Sequence, residues 1–503
     1  MLTRMIGRLR ASPLGYRLAS GAFWSMAGTL VSRALTLAGS VVVARVLGKE
    51  GYGELGIVQS TVGLFTLFAG FGMGLTATRY VAEFRDRDPP RAGRIIALSH
   101  RVCLVTGGIF TIALAAMAPW LAARTLAAPH LENVLRIGSL MLVLSAWSGS
   151  QTGALSGFEA FRRIARINVW TTVVSVPLTV LGVCFLGLVG AVLGLVVTTL
   201  VNCILNDRAL SAEARARGIS RSASGCWRER RILGRFSLPV VLAGCLAGPV
   251  SWACAALLVN QPGGYAQMGL FNVANQWRWA TMLVPSILNQ VLLPVMASLG
   301  ESAEGRARQS SVVEHAQSSI VMAIFPLAAL LMFGAPLILS FYGPTFADGD
   351  RVMAELSAAM MIASIGVATG AALQARERMW IGFGINLVYG AGLVAVAWWL
   401  TPRLGAEALA FGTAAGYAVT TVWTFAVLAR EMPAGMLPRV GGAIGFTAAM
   451  LAAGLAVSPR LRPWLAVPAF LLSAGFVYGV LLSEETKRRW RGLALGREEA
   501  GRA

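Results

Sequence analysis

Charged residues are scarce in this chain. Only 13% of its 503 residues are Asp, Glu, Lys or Arg, whereas 56% are hydrophobic. Soluble globular proteins carry about 25% charged residues, so about half of the usual charge is missing. This deficit excludes a cytosolic enzyme, a disordered scaffold and a DNA-binding domain, although the formal net charge is +20.

Residues that form disulfides or bind metals are also few. The six cysteines are scattered without a Cys-x-x-Cys pair, and the chain has three histidines. The sequence therefore predicts neither a disulfide framework nor a metal site. Phosphate-binding glycine loops, zinc-protease motifs and nucleophile elbows are absent from the sequence. We expect no cofactor, no enzymatic activity and no nucleic-acid partner.

What the sequence has instead is a series of apolar segments, each about 20 residues long. Such a segment can cross a hydrocarbon core about 30 Å thick as a helix, in which every backbone group is hydrogen-bonded. We predict an all-α, polytopic membrane protein with about 14 transmembrane helices. The predicted spans are 20–44, 53–82, 95–119, 133–157, 168–187, 189–206, 236–259, 267–297, 315–342, 352–374, 380–400, 405–429, 439–457 and 463–483.

The distribution of basic residues supports this count. With the N-terminus inside, 31 of the 43 Lys and Arg residues fall in cytoplasmic segments, when Arg439 at the start of a span is counted with the loop before it; seven fall in the opposite loops and five fall within spans. This is the asymmetry that the positive-inside rule requires, and one missed span would remove it. We therefore expect a multi-pass membrane protein with both termini in the cytoplasm, in contact with membrane lipids.

Similar segments recur at a nearly constant offset. Gly51-Tyr52-Gly53 opens the second span, and Gly264-Tyr265-Ala266 opens the eighth, 213 positions later. His100 and His315 are 215 positions apart. The offset predicts two pseudo-symmetric six-helix lobes related by an axis along the membrane normal, as in transporters that work by alternating access.

The repeat divides the chain into six parts. These are a cytoplasmic arm (1–19), an N-lobe (20–206), a basic linker (207–235), a C-lobe (236–430), two extra C-terminal helices (431–483) and a basic cytoplasmic tail (484–503).

Several short motifs resemble one family of exporters. They are GAFW at 21–24, VVVARVLG at 41–48, GYG at 51–53, FGMGL at 71–75, TRYVA at 78–82 and FYGPTF at 341–346. This pattern is similar to that of the Wzx-type polysaccharide flippases, within the multidrug/oligosaccharidyl-lipid/polysaccharide exporter superfamily. The resemblance implies export of an undecaprenyl-pyrophosphate-linked oligosaccharide to the outer leaflet, for O-antigen, capsule or exopolysaccharide assembly. It also implies a monomer that works with other proteins of polysaccharide assembly.

Two arginines lie near the middle of predicted spans, Arg33 in the first and Arg278 in the eighth. A charged side chain at the centre of a bilayer is costly, so each should face a cavity or a partner. We expect both to bind the pyrophosphate, because a guanidinium stays charged and binds phosphate oxygens bidentately. The alternative is that they pair with carbonyl groups or a carboxylate and only fix the packing.

Polar and aromatic residues accompany the two arginines. Amides and indoles suit sugar hydroxyls and ring faces, although polar residues also join membrane helices to one another. The predicted glycan-binding or cavity-lining residues are Thr29, Thr36, Asn272, Asn275, Gln276 and Trp279.

Acidic residues all lie in loops or near the ends of spans by these boundaries. A proton-coupled exporter of cations needs a deep carboxylate, so this distribution favours an anionic substrate. If an ion is coupled to transport, Glu54, Glu159 and His315 are the candidate residues. The alternative functions are a lipid II flippase, then a multidrug antiporter, then a membrane-embedded glycan polymerase or glycosyltransferase.

Overall fold

The computed structural model describes residues 13–221, 225–238, 241, 247–283, 285, 303–375, 379–427, 436–482 and 486–488. Most of the predicted arm and tail lies outside these residues, as does the second half of the predicted eighth span. The described residues form helices, turns and irregular segments without a β-strand, so the all-α prediction is confirmed.

The described residues contain thirteen α-helices of at least twelve residues. They are α1 (Pro13–Ala69), α2 (Met73–Phe84), α3 (Pro89–Trp120), α4 (Glu132–Gly157), α5 (Phe161–Ala216), α6 (Ala247–Val259), α7 (Gly264–Thr281), α8 (Ala303–Tyr342), α9 (Asp350–Ala375), α10 (Met379–Leu404), α11 (Ala406–Val427), α12 (Met436–Ala456) and α13 (Arg462–Phe476). Short π or 3-10 segments are Leu121–Thr125, Pro129–Leu131, Cys226–Glu229, Leu233–Ser237, Pro344–Gly349 and Val477–Leu481.

Two of these helices are too long to be single membrane spans. α1 has 57 residues and α5 has 56, which correspond to about 85 Å of helix. Each is interrupted by a glycine with a positive φ, 70° at Gly48 and 57° at Gly187, a conformation that side chains disfavour. Each helix therefore supplies two spans, and the break at Gly187 lies at the predicted boundary between spans 5 and 6.

The second predicted span differs from a continuous helix. α1 ends at Ala69 and α2 begins at Met73. Between them, Phe71 and Gly72 have φ values of 43° and 64°, which end a right-handed helix. Hydropathy did not predict this turn within 53–82, because the segment is apolar throughout and hydropathy does not report backbone dihedral angles.

The chain divides into two compact units, one ending at Gly269 and the other beginning at Leu270. α6 and the start of α7 thus belong with the first unit. Trp252 of α6 donates from its indole nitrogen to the Thr61 hydroxyl of α1 at 3.0 Å. The predicted division at the linker, and the superposition of two six-helix lobes, stay predictions.

Each unit has its own apolar core. In the first, buried side chains of α2 to α5 pack together, among them Val81, Ile96 and Phe158. In the second, a larger core joins α8 and α9 to α12 and α13. The C-terminal helices are also attached by a buried ion pair, Arg462 to Asp350 at 2.7 Å.

Candidate functional site

α7 carries five of the predicted site residues within about two turns. They are Asn272, Asn275, Gln276, Arg278 and Trp279. The start of α7 lacks charged residues, and Arg278 is the basic residue of its last described turn. α7 also carries four amide side chains, and a guanidinium within a predicted membrane span must be compensated by polar neighbours of this kind.

Arg278 is held by polar and aromatic groups from two helices. Its Nε donates to Asn275 Oδ1 at 2.7 Å, within α7. Its Nη1 donates to the hydroxyl of Tyr417 in α11 at 3.5 Å. The guanidinium also lies 5.0 Å from the ring centroid of Trp279, a distance at which a cation is attracted to an indole face. None of these partners is a carboxylate, so the positive charge is positioned without being neutralised.

Two tyrosines that sequence reasoning missed complete this cluster. The rings of Tyr417 and Tyr389, from α11 and α10, stack with centroids 4.9 Å apart. Both tyrosines lie in strongly apolar segments, where the only signal was a hydroxyl-bearing aromatic residue near the middle of a span. Tyr417 thus brings a hydroxyl to Arg278 from another helix, and Tyr389 stacks against its ring.

A neighbouring contact fixes the position of α7. Trp277 donates from its indole nitrogen to the hydroxyl of Tyr342 at 3.1 Å. Tyr342 is fully buried and belongs to α8. The indole nitrogen of Trp277 already donates this hydrogen bond. We therefore expect the neighbouring side chains of α7, and not Trp277, to contact a substrate.

Two of these neighbours have free surface or a free donor. Trp279 is 54% exposed. The amide nitrogen of Asn272 is buried and has no hydrogen-bond partner among the described residues. Gln276 is half-buried and makes an interaction of its own. An indole face and an amide donor on the same helix are groups that suit a sugar.

Arg33 has different surroundings. Its side chain is exposed on the first arm of α1, and it makes no hydrogen bond or ion pair with any described residue. Thr36, one turn later, is exposed, and its hydroxyl donates to Ser32 O at 2.8 Å. Thr29 is half-buried and makes an interaction of its own. An exposed arginine near the middle of a predicted membrane span requires a water-filled cleft or an anionic partner.

Two of the predicted coupling residues are already engaged. Glu54 Oε1 lies 2.7 Å from His130 Nε2, and Glu159 Oε1 lies 2.6 Å from Arg85 Nη2. Burial alone would lower the pKa of Arg85, but Glu159 and Asp86 raise it above its ordinary value. Glu159 thus has a permanently charged partner.

The third predicted coupling residue, His315, is half-buried on α8. Glu355 on α9 is a further candidate for ion coupling, and the sequence did not single it out. Glu355 is only 8% exposed, and its Oε2 has no partner among the described residues. It lies near the start of its helix, as predicted for the acidic residues, but its burial could not be read from its position.

A close helix crossing lies at one end of the first unit. A Cβ atom added at Gly53 of α1 would overlap the carbonyl oxygen of Tyr265, and one added at Gly269 would overlap that of Lys49. The loop after α3 reinforces this crossing. Tyr265 donates from its hydroxyl to Leu126 O at 2.7 Å, and Asn260 donates to Thr125 O at 2.7 Å. The second arm of α1 and the start of α7 are therefore closed against each other.

The described residues contain no group of three or more His, Cys, Asp or Glu side chains arranged to hold a metal ion. The guanidinium of Arg278 has the chemistry to contact an anion through charge-assisted hydrogen bonds, and Asn275 and Trp279 place an amide and an indole face next to it.

Comparison with known proteins agrees with this chemistry. The model of the family described as "Polysaccharide biosynthesis protein" matches residues 18–299, more than half of the chain. The chain belongs to the polysaccharide biosynthesis protein family. This confirms the resemblance that the sequence motifs indicated.

The chain is also similar to named relatives and to solved structures. The EPS I polysaccharide export inner membrane protein EpsE of Ralstonia nicotianae is 24% identical over 435 residues, which are 84% of this chain and 95% of that protein. The lipid II flippase MurJ, in an inward closed conformation, gives a TM-score of 0.68 at 10% identity over 91% of this chain and 99% of its own. An inward-facing multidrug resistance MATE family transporter gives 0.64 at 16% identity, over 82% and 98%. These structures show that the chain shares the fold of MurJ and of the MATE family transporter.

Proposed function

We propose that the protein is a flippase that moves an undecaprenyl-pyrophosphate-linked oligosaccharide from the inner to the outer leaflet of a bacterial inner membrane. It acts as a transporter and not as an enzyme, and both termini lie in the cytoplasm. The similarity to EpsE proteins, which are named for polysaccharide export, supports this class of substrate. Other proteins of polysaccharide assembly are its expected partners.

The observation that carries the proposal is the setting of Arg278. In a predicted membrane span, a guanidinium is held by an amide and a tyrosine hydroxyl. An exporter of cations would place a carboxylate at such a point, because a fixed positive charge repels its cargo. A fixed guanidinium instead suits a pyrophosphate, which it contacts through charge-assisted hydrogen bonds.

We assign the parts of the substrate to different residues. In this proposal, Arg278 and Arg33 bind the pyrophosphate. The glycan contacts the amides and indole of α7 and the threonines of α1. Indole faces provide stacking surface for sugar rings, and amides pair with their hydroxyls.

Transport proceeds by alternating access. The crossing at Gly53 and Gly269 closes one end of the pathway, and it must separate when the substrate leaves on that side. The two glycines at the crossing support a close contact between helix backbones, as small residues do between membrane helices.

We propose that the membrane potential drives export. A pyrophosphate diester carries about two negative charges, and moving each outward gains about 2.3 kcal/mol per 100 mV. The total, roughly 4–5 kcal/mol, supports about a thousandfold gradient. Glu54, Glu159, His315 and Glu355 are the groups to test if an ion gradient proves necessary.

The proposal can be tested by complementation. The chain is expressed in a strain that lacks its polysaccharide flippase and, separately, in a strain depleted of its lipid II flippase. We expect surface polysaccharide to be restored in the first strain and growth not to be restored in the second. Rescue of the second strain alone would show that the substrate is lipid II, and drug resistance alone would show a multidrug antiporter.

A further inference from the structure

The linker after α5 folds back onto the first unit. At its start, Gly218 has a φ of 66°, and the backbone nitrogen of Ile219 donates to Ala214 O at 2.8 Å. Ile219 is only 4% exposed. Ser220 reaches α3, where a Cβ atom added at Gly93 would overlap its carbonyl oxygen. This stretch of the predicted basic linker is therefore packed against two helices.

The folded segment and the end of α5 line an open concavity with a volume of about 520 Å³. Its lining residues are Asp207, Arg208, Ser211, Ala214, Arg215, Ile219, Ser220 and Arg221. The volume lies within the range of about 300–1,000 Å³ typical of small-molecule sites. The predicted sixth span ends at residue 206, so the concavity opens at the level of the lipid headgroups.

Three arginines line this concavity, and one of them is held in place. Arg221 Nη2 donates to Asp207 Oδ1 at 2.7 Å, and Nη1 donates to the Ser211 hydroxyl. Nη2 also lies 3.4 Å from Nδ1 of His100. These contacts fix the guanidinium plane before any ligand arrives.

The other two arginines leave the concavity positively charged. Arg215 Nε donates to the carbonyl oxygen of Ser211 at 3.3 Å, and Arg208 has no partner among the described residues. Asp207 is the one acidic residue in the lining, and Arg221 already engages it. Two positive charges therefore remain uncompensated beside a hydroxyl donor, and guanidinium groups in such an arrangement match phosphate oxygens.

We propose that this concavity binds a phosphate group. The phosphate is carried either by an anionic phospholipid of the adjacent leaflet or by a free phosphate or pyrophosphate. The site is separate from the Arg278 cluster and does not depend on which substrate the protein transports.

The test compares two double variants of equal charge. Arg208→Gln with Arg215→Gln removes the two uncompensated guanidiniums of the concavity. Arg230→Gln with Arg231→Gln removes two exposed arginines of the same linker that do not line it. Size-exclusion chromatography shows whether the glutamine variants are folded. If the first pair is poorly folded, the test uses Arg208→Lys with Arg215→Lys, which keeps the charge.

Two arms distinguish the sources of phosphate. Native mass spectrometry of the full-length protein compares retained phosphatidylglycerol with phosphatidylcholine, and a thermal-shift assay in detergent titrates inorganic phosphate and pyrophosphate. We expect the concavity pair to weaken binding about tenfold or more in at least one arm, the lysine pair to weaken it less, and the control pair to leave it unchanged. Equal losses in the concavity and control pairs, or no phosphate preference in the unmodified protein, would overturn the proposal.

Discussion

Arg278 and Arg33, the two arginines near the middle of predicted spans, have opposite surroundings. Arg278 donates to Asn275 and to Tyr417 and lies against the ring of Trp279. Arg33 is exposed and has no partner among the described residues. A guanidinium fixed before binding loses little freedom when a phosphate arrives, whereas a free one must be ordered by its ligand. We infer that Arg278 sets the geometry of the site and that Arg33 mainly adds charge.

The largest expected effect is that of Arg278→Ala. Because the variant leaves the pyrophosphate without its fixed partner, we expect export to fall about a hundredfold or more, since hydrogen bonds to charged groups contribute about 1.5–3 kcal/mol each. Surface polysaccharide in the complemented strain gives the measure, normalised to protein in the membrane. The matched control is Arg403→Ala, which also removes an arginine beside a tryptophan, Trp399 at 6.0 Å, but at the end of a helix. Equal losses in both variants would contradict a special role for Arg278.

A substitution at the helix crossing separates the transport cycle from binding. Gly53→Ala places a methyl group where the carbonyl oxygen of Tyr265 lies, so the two helices cannot close. We expect export to fall about tenfold or more, while both arginines remain able to bind substrate. Gly63→Ala on the same helix is the control, because a Cβ atom there meets nothing within 4 Å. Export that survives Gly53→Ala would show that the crossing need not close.

Lysine substitutions test the difference between the two arginines. Lysine keeps the charge but loses the planar fork of donors. We expect Arg33→Lys to retain most export and Arg278→Lys to lose most of it, about tenfold. The two variants are compared in the same polysaccharide assay. The reverse order would show that Arg33 is the residue that orients the phosphate.

A smaller effect is expected for Tyr417→Phe. It removes only the hydroxyl that accepts from Arg278, at a long distance of 3.5 Å, and leaves the stacked ring in place. A hydrogen bond of this kind contributes about 0.5–1.5 kcal/mol, so export should fall roughly two- to tenfold. Tyr80→Phe, in a tyrosine stacked on Phe84, is the control. An unchanged rate for Tyr417→Phe would mean that Asn275 and Trp279 suffice to hold the guanidinium.

The fold could be predicted from the sequence further than the site could. Hydropathy and the arginine distribution predict about 14 spans, because membrane insertion acts on these same quantities. The turn at Phe71 and Gly72 escaped this reasoning, since it depends on backbone dihedral angles within an apolar segment. For the same reason, the sequence did not predict that the basic linker is packed at Ile219, which is only 4% exposed.

In the site, the residues of one helix could be predicted and their partners could not. Periodicity places Asn275 and Arg278 on one face of α7, one turn apart. Tyr417 reaches Arg278 from 139 positions away, and no local pattern encodes such a contact. The burial of Glu355 is a tertiary property of the same kind.

Transport in proteoliposomes tests the central claim most directly. The purified protein is reconstituted with a fluorescent polyprenyl-pyrophosphate oligosaccharide, and a potassium diffusion potential is imposed with equal pH and sodium on both sides. The account predicts that the labelled substrate crosses the bilayer with the unmodified protein and with Glu355→Gln, and that it does not cross with Arg278→Ala. No crossing by the unmodified protein under any potential or ion gradient, or equal crossing with Arg278→Ala, would contradict it.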